Sequence, residues 1–137
     1  MMDLSLEDNL EEIDPPECLE LLRTEQVGRI GVIDEAKPEI FPVNYALDAS
    51  DAVIFLAATG TKLLAAVNHH VVFEVDRFDP DLRSGWSVIV HGVAQQTDRV
   101  LEGEQPLVTW REHAPFLVRI TQRSISGRRI KMNPGVD

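Results

Sequence analysis

The chain has 137 residues, of which 44% are hydrophobic and 26% charged, the size and composition of one globular domain. Its formal net charge of −10 argues against a nucleic-acid-binding protein, because duplex binding depends on cationic groups that neutralise phosphates. A small anionic ligand in a locally basic pocket is still compatible with this charge. Cys18 is the single cysteine, so no internal disulfide can form and a reducing compartment is expected.

The two termini look like extensions of a single domain that spans residues 1–137. Residues 1–14 carry acidic and no basic side chains, which predicts a solvated lead-in, with a partner-binding tail as the alternative. Residues 131–137 are expected to be a short tail. The start lacks the pattern of a signal peptide, and no apolar run approaches the ~20 residues of a membrane span. We therefore expect a cytoplasmic protein that does not contact membranes.

The residue pattern predicts one short helix followed by strands. Asp14 precedes two prolines and a glutamate, which is a helix-start signal, and the apolar stripe of CLELLRTE follows it. A second short helix is expected from Thr61 to about Val67, and a helical patch near residues 98–104. Strands are predicted at residues 27–34, 39–47, 52–58, 71–78 and 86–97, with one or two more at 115–130. Gly92 predicts a bend or bulge in the fifth of these strands.

These elements add up to six or seven strands, joined mostly by loops of hairpin length. Short antiparallel strands at this spacing favour a small barrel, because closure removes the unpaired strand edges. The fold class predicted from the pattern is therefore mainly β with small helices. The sequence contains no internal repeat and no linker that would divide it.

The tetrapeptide Thr59-Gly60-Thr61-Lys62 connects a predicted strand to a predicted helix and could bind a phosphate. A helix N-terminus presents free N–H groups and a partial positive charge. The two threonines would add hydroxyl donors, the glycine a close backbone approach and the lysine a full charge. It is not a P-loop, since Thr61 precedes the lysine instead of following it. The alternative is a threonine-capped helix with an exposed lysine.

The other polar residues give no catalytic signature. There is no G-x-S-x-G motif, and catalytic residues remain unassigned. Glu74 and Asp76 share one strand face, which predicts a solvated face, or a contact with cofactor or substrate as the alternative. The histidines lack metal-ligand spacing, so no metal site is expected, and they are interpreted as structural or surface residues. They are His69, His70, His91 and His113.

Six motifs carry a family resemblance. In chain order they are VGRIGV (27–32), FPVNYALD (41–48), TGTKLLAA (59–66), VVFEVDRFDP (71–80), GWSVIVHGVA (85–94) and VRITQRSISGRR (118–129). Together they resemble the flavin-binding split-barrel proteins related to pyridoxamine 5′-phosphate oxidase, particularly the short actinobacterial-type members. The resemblance implies a six-stranded antiparallel split β-barrel with Greek-key topology. It also implies a homodimer with FMN at the subunit interface and an oxidoreductase activity on a small-molecule substrate. A deazaflavin coenzyme is a close alternative to FMN.

The resemblance also implies which residues contact the cofactor. They are Pro42, Val43, Asn44, Tyr45, Thr59, Gly60, Thr61, Lys62, Trp86, Ser87 and Arg128. The first four would lie along the flavin, the next four would hold its phosphate, and Trp86 and Ser87 would lie near the cofactor and the dimer interface. Arg128 or its neighbour Arg129 would reach the partner subunit's cofactor or a substrate anion. The alternatives are a hydrogen bond to a neighbouring strand or loop for Asn44, packing for Trp86, and ion pairs for the arginines.

The sequence departs from the family at Leu56 and Ala57, where relatives commonly carry an arginine and a hydroxyl residue. The departure removes a bidentate phosphate donor, and charge-assisted hydrogen bonds contribute roughly 1.5–3 kcal/mol each. Either Lys62 suffices, another arginine substitutes, or the phosphate contact is lost. The alternative function is a non-catalytic split barrel that carries or senses flavin or haem, with His91 as a haem-ligand candidate, or that binds no cofactor.

Overall fold

Nine elements of secondary structure follow one another in the computed structural model, which describes residues 10–57, 62–97 and 116–131. They are β1 (Leu10–Ile13), α1 (Pro15–Leu22), β2 (Val27–Asp34), β3 (Lys37–Leu47), β4 (Val53–Ala57), a 3₁₀ helix (Lys62–Ala66), β5 (His70–Asp79), β6 (Ser84–Thr97) and β7 (Phe116–Lys131). Within these ranges no helix is long and apolar enough to cross a membrane.

Six of the strands close into a ring. Their order is β7-β4-β3-β2-β5-β6, and β6 pairs back onto β7, all neighbours being antiparallel. The non-sequential neighbours β2–β5 and β4–β7 give the ring its Greek-key character. The predicted mainly β, six-stranded antiparallel split barrel is therefore confirmed.

Strand β7 has different partners along one of its edges. Residues 116–120 pair with β4, whereas residues 127–130 pair with β1, and β6 follows the other edge of β7 throughout. The ring opens between these two partners of β7. Strand β1 was not predicted, because its four residues lie in a segment whose acidic composition favours a solvated lead-in.

The interior is filled by alternate residues of the strands, as a period of two requires. Val71, Phe73 and Val75 of β5 are 5%, 0% and 0% exposed, whereas Glu74 lies on the opposite face. Full burial of one such aliphatic or aromatic side chain contributes about 1.5–3 kcal/mol. The side chains on the outer face of the same strands are therefore the ones open to a ligand or a partner.

The two helices cover parts of the barrel. Asp14 caps α1 by accepting a hydrogen bond from the Glu17 N–H (3.0 Å), as the sequence predicts, and Cys18 and Leu22 are buried. The 3₁₀ helix packs Leu63 and Leu64 against the core. The predicted helix at 61–67 is therefore a five-residue 3₁₀ helix, and it begins at Lys62.

Strand β6 shows the predicted irregularity opposite a bulge in its partner β7. Its register with β7 shifts between His91 and Gly92, so Arg123 is the extra residue of the bulge. A Cβ at Gly92 would lie 2.2 Å from the Thr121 carbonyl oxygen, so only glycine fits there. The final segment is one strand, and the predicted helical patch at 98–104 lies outside the described residues.

Candidate cofactor site

Strand β3 carries the first group of predicted cofactor contacts and divides them between its two faces. Pro42 and Asn44 point outward, the first exposed and the second half-buried. Val43 and Tyr45 point inward and are 5% and 4% exposed. Of these four side chains, only those of Pro42 and Asn44 are therefore presented on the outer face.

The structure places the Tyr45 side chain inside the barrel. Its hydroxyl donates a hydrogen bond to the carbonyl of Leu22, and its ring meets that of Phe73 edge-on with the centroids 5.0 Å apart. Burial, with the charge of Glu25 as a second cause, raises the pKa of Tyr45 above its usual range. The side chain therefore ties α1 to the barrel. The alternation of β3, which puts Tyr45 on the same face as Val43, is the sequence signal that could have shown this.

Asn44 has no side-chain hydrogen bond in the described part of the chain. It lies opposite Val27 of β2, whose apolar side chain is 46% exposed and offers no polar partner. The alternative role considered for Asn44, a bond to a neighbouring strand or loop, is not found among these residues. A half-buried amide without a protein partner is suited to a polar ligand, since its donors and acceptor would otherwise need water.

Of the predicted phosphate segment, the structure describes Lys62, whereas Thr59, Gly60 and Thr61 lie outside the described residues. The Nζ of Lys62 is 3.2 Å from Oε1 of Glu39 on β3. The five-residue 3₁₀ helix that starts at Lys62 aligns few peptide dipoles, so the partial charge expected at its N-terminus is small. The ammonium group of Lys62 is therefore the main cation that this segment offers.

Within the ranges that the structure describes, no nearby arginine compensates for the departure at Leu56 and Ala57. Leu56 is half-buried opposite Leu117 of β7, and Ala57 is 1% exposed. Arg119 is two residues further along β7, but its Nε donates to Oδ2 of Asp48 at 2.7 Å. This part-buried ion pair stabilises the turn after β3. The guanidinium of Arg119 is therefore not available to bind a phosphate there.

Trp86 and Ser87 lie next to each other on β6 and face opposite ways. Trp86 is half-buried and packs against the hydrophobic core, which is the packing role considered for it. Ser87 is on the outer face, between Asp76 of β5 and Arg128 of β7. Only Ser87 shares a face with Asn44, and β2 and β5 separate the two residues.

The two adjacent arginines of β7 have different environments. The Nη2 of Arg129 is 2.8 Å from Oε2 of Glu17, so Arg129 attaches α1 to the barrel. Arg128 is exposed and has no ion pair within the described ranges. It borders a cavity of about 520 Å³ at the junction of β1 and α1, lined by Glu12, Ile13, Asp14, Pro15, Ile125, Ser126, Gly127 and Arg128. Of these two arginines, Arg128 is therefore the one without a described partner that could meet an anion.

An ion cluster that the sequence did not predict lies beside Pro42 on the outer face. Arg29 is opposite Pro42, and its Nη1 is 3.3 Å from Glu74 and 3.4 Å from Asp76. Burial, then the hydrogen bond and charge of Asp76, raise the pKa of Glu74, and Arg29 opposes the shift. Sequence alternation places the two carboxylates on one face, but the partner strand that supplies Arg29 is set only by the long-range pairing of β2 with β5.

The described residues contain no group of three or more histidine, cysteine or acidic side chains arranged to hold a metal. His69, His70 and His91 are exposed, and His113 lies outside the described ranges. The first three are therefore surface residues, which is one of the two roles expected for them.

Exposed aliphatic side chains surround the outer positions of β2 and β3. Ile33 and Ile40 are 63% and 70% exposed, and Val27 lies beside Asn44. By the alternation of β2 and β3, all three occupy outward positions and therefore share the outer face with Asn44. An exposed apolar group of this kind commonly marks a contact with another molecule.

Comparison with known proteins places the chain among proteins of this architecture. The family model described as pyridoxamine 5′-phosphate oxidase matches residues 14–129. The uncharacterized protein Rv0080 of Mycobacterium tuberculosis is 32% identical over 129 residues, which cover 87% of this chain and 84% of that protein.

The FAD-binding protein of Mycobacterium smegmatis, a solved structure, is 34% identical, with a TM-score of 0.72 over 89% of this chain and 99% of that one. The conserved protein DIP1874 of Corynebacterium diphtheriae, of unknown function, is 33% identical, with a TM-score of 0.73 over 91% and 100% of the two chains. The chain therefore belongs to the pyridoxamine 5′-phosphate oxidase family.

Proposed function

We propose that this protein binds a flavin nucleotide on the outer face of its barrel and uses it to oxidise or reduce a small molecule. The observation that carries the proposal is the half-buried Asn44 amide, which has no partner in the described part of the chain and lies beside the exposed Pro42. Family membership supports it, as does the FAD-binding relative from M. smegmatis, which is 34% identical.

The chain's own residues would have separate tasks. Asn44 would hydrogen-bond a polar edge of the flavin ring, and Lys62 would contact the phosphate. The flavin itself would supply the hydride or electron chemistry, while the protein binds it, orients it and excludes water. FMN is the cofactor that the sequence resemblance implies, and FAD is the cofactor of the M. smegmatis relative.

We further propose that the site is shared between two copies of the chain. Asn44 and Arg128 are both on the outer face. On one side of the ring β2, β5 and β6 separate their strands. At about 4.8 Å per strand, four steps amount to roughly 19 Å, too far for both side chains to contact one ring system within one subunit. On the other side only β4 separates them, but β4 pairs with residues 116–120 of β7, so Arg128 lies at least eight residues, or roughly 26 Å, further along that strand. A second copy packed on the apolar group of Val27, Ile33 and Ile40 would bring its own Ser87 and Arg128 towards the first copy's Asn44.

Two variants test the assignment of the two ends of the flavin. Lys62→Ala removes the phosphate contact, so we expect it to lower the affinity for FMN about 5- to 30-fold. The affinity for riboflavin, which lacks the phosphate, should change by less than about twofold. Asn44→Ala removes a ring contact, so we expect it to weaken FMN and riboflavin alike, by about 5-fold.

The measurement is flavin fluorescence quenching on titration with each protein, and thermal melts check that both variants fold. If Lys62→Ala weakens riboflavin as much as FMN, Lys62 does not hold the phosphate. If neither variant changes the affinity for either ligand, neither Asn44 nor Lys62 contacts the flavin.

A further inference from the structure

Glu39 is the carboxylate that pairs with the proposed phosphate-binding lysine. Its Oε1 is 3.2 Å from the Nζ of Lys62, and the two side chains are 33% and 56% exposed. An exposed pair of this kind is held by no more than about 1 kcal/mol, so a ligand could displace it. The negative charge of Glu39 would nevertheless remain next to whatever Lys62 binds.

The other arginines near the outer face and the barrel ends do not offset that charge. Arg29 is held between two carboxylates, Arg119 is bound to Asp48, and Arg129 is bound to Glu17. Leu56 and Ala57 contribute no charge to β4. With Lys62 and Glu39 of opposite sign, their pair has a net charge of zero.

Lys37 of β3 is another lysine that the structure describes near this pair. It precedes Glu39 by two residues on β3, so the two side chains leave the strand on the same side. Lys37 is exposed and has no ion pair in the described segments. Removing the Glu39 charge would therefore leave two uncompensated lysines at this position.

The phosphates of the two flavin nucleotides differ in charge. FMN ends in a phosphate monoester, which carries about −1.5 to −2 near pH 7. In FAD each phosphate of the pyrophosphate is a diester-like group with a single charge. Riboflavin has no phosphate and no charge. A carboxylate beside the binding lysine penalises these three ligands in the order FMN, FAD, riboflavin.

We propose that Glu39 is a specificity-determining residue of the flavin site, whose carboxylate beside Lys62 selects against a doubly charged phosphate monoester. This inference rests on the proposed flavin site. Its consequence is that the wild-type protein gains little affinity from the second charge of FMN and accepts the singly charged phosphates of FAD equally well.

The variant Glu39→Gln tests this by removing the charge and keeping the shape. Removing one charge about 5 Å from a dianion is expected to tighten FMN binding about 5- to 10-fold after partial screening by salt. The binding of FAD should tighten about 2- to 3-fold, because each of its phosphates carries a single charge. Riboflavin should change by less than about twofold, since it has no charge to respond.

Glu35→Gln is the matched control. Glu35 lies in the turn of the same β2–β3 hairpin and is exposed, and it has no ion pair within the ranges that the structure describes. The substitution Glu35→Gln removes the same formal charge without affecting the contact with Lys62. The affinity for FMN should therefore change by less than about twofold. The affinities of wild type and both variants for the three flavins are measured by fluorescence titration at low and at physiological salt, and the gain from Glu39→Gln should shrink at the higher salt.

The outcomes separate this inference from the proposed function. Suppose that the wild-type protein binds flavins. If Glu39→Gln then leaves the affinity for FMN unchanged, or raises the affinities for FMN and riboflavin equally, the role proposed for Glu39 is overturned. The proposed flavin site would not be affected by that result. If Glu35→Gln tightens FMN as much as Glu39→Gln, the effect is one of overall charge, which also overturns it. If wild type binds no flavin, acquired FMN binding in Glu39→Gln would support the role, and its absence would refute both proposals.

Discussion

At the residue scale, Asp48 shows how one carboxylate can fix a turn. Its side chain accepts hydrogen bonds from the N–H groups of Ser50 and Ala52 and from Arg119. Burial alone would raise the pKa of Asp48, but these hydrogen bonds outweigh it and hold the pKa below its usual range. The charged form is therefore favoured by folding.

This environment predicts a stability loss that depends on pH. Asp48→Asn should lower the free energy of unfolding by about 2 kcal/mol at pH 7, since it removes a charge-assisted hydrogen bond. Because the folded-state pKa is depressed, the contribution is present above the unfolded-state pKa of about 3.9 and is lost as the pH falls through the folded-state value. Urea denaturation of both proteins at pH 7 and at decreasing pH measures the difference, which should shrink towards acid.

Asp51→Asn is the control for the Asp48 prediction. Asp51 pairs with Arg23, and both side chains are largely exposed, 43% and 49%. Exposed pairs contribute about 0.2–1 kcal/mol, so this variant should cost less. Equal losses in the two variants, or a loss in Asp48→Asn that does not change with pH, would contradict the role given to the Asp48–Arg119 pair.

At the element scale, α1 is attached to the barrel through a close contact with β7. A Cβ at Gly127 would lie 2.6 Å from the Sγ of Cys18 and 3.1 Å from the Cβ of Ile13. Cys18 is fully buried, and burial, with the charges of Asp14 and Glu17, raises the pKa of its thiol. The missing side chain at Gly127 is therefore what allows the helix to lie this close.

This contact predicts that substitutions at Gly127 and Cys18 have coupled effects on the free energy of unfolding. Gly127→Ala should destabilise the protein by about 1–3 kcal/mol through overpacking. Adding Cys18→Ala should recover part of that loss, because the sulfur that the new methyl group meets is gone. Thermal or urea unfolding of the two single variants and the double variant gives the coupling energy. Strict additivity of the two losses would show that Gly127 and Cys18 do not meet.

At the scale of the whole molecule, the local pattern was sufficient to predict most of the strands. The alternation of VGRIGVID gives β2 with the bounds that the structure has, and Gly92 of β6 marks the place where the ladder with β7 is bulged. Both features depend on residues adjacent in sequence. The resemblance of the six motifs then predicted how the strands close, which the alternation alone leaves open.

The pairings that shape the site could not be predicted in this way. Lys62 meets Glu39, and Arg119 meets Asp48 across 71 positions of sequence. Such contacts depend on how segments distant in sequence are placed against each other, which local patterns do not specify. Within the sheet, a register shift of one residue would reverse every side chain. Strand β1 was missed for the same reason, since its apolar contacts and its partner, residues 127–130, lie at the other end of the chain.

The most direct test of the central claim combines mass and absorbance in one experiment. The protein is incubated with excess FMN, or separately with FAD, and passed through a sizing column with light-scattering and visible-absorbance detection. The account predicts flavin absorbance near 450 nm in a protein peak of twice the 15.4 kDa mass of one chain. A protein peak without flavin absorbance would contradict the flavin site, and flavin that elutes with a species of single-chain mass would contradict its location between two copies.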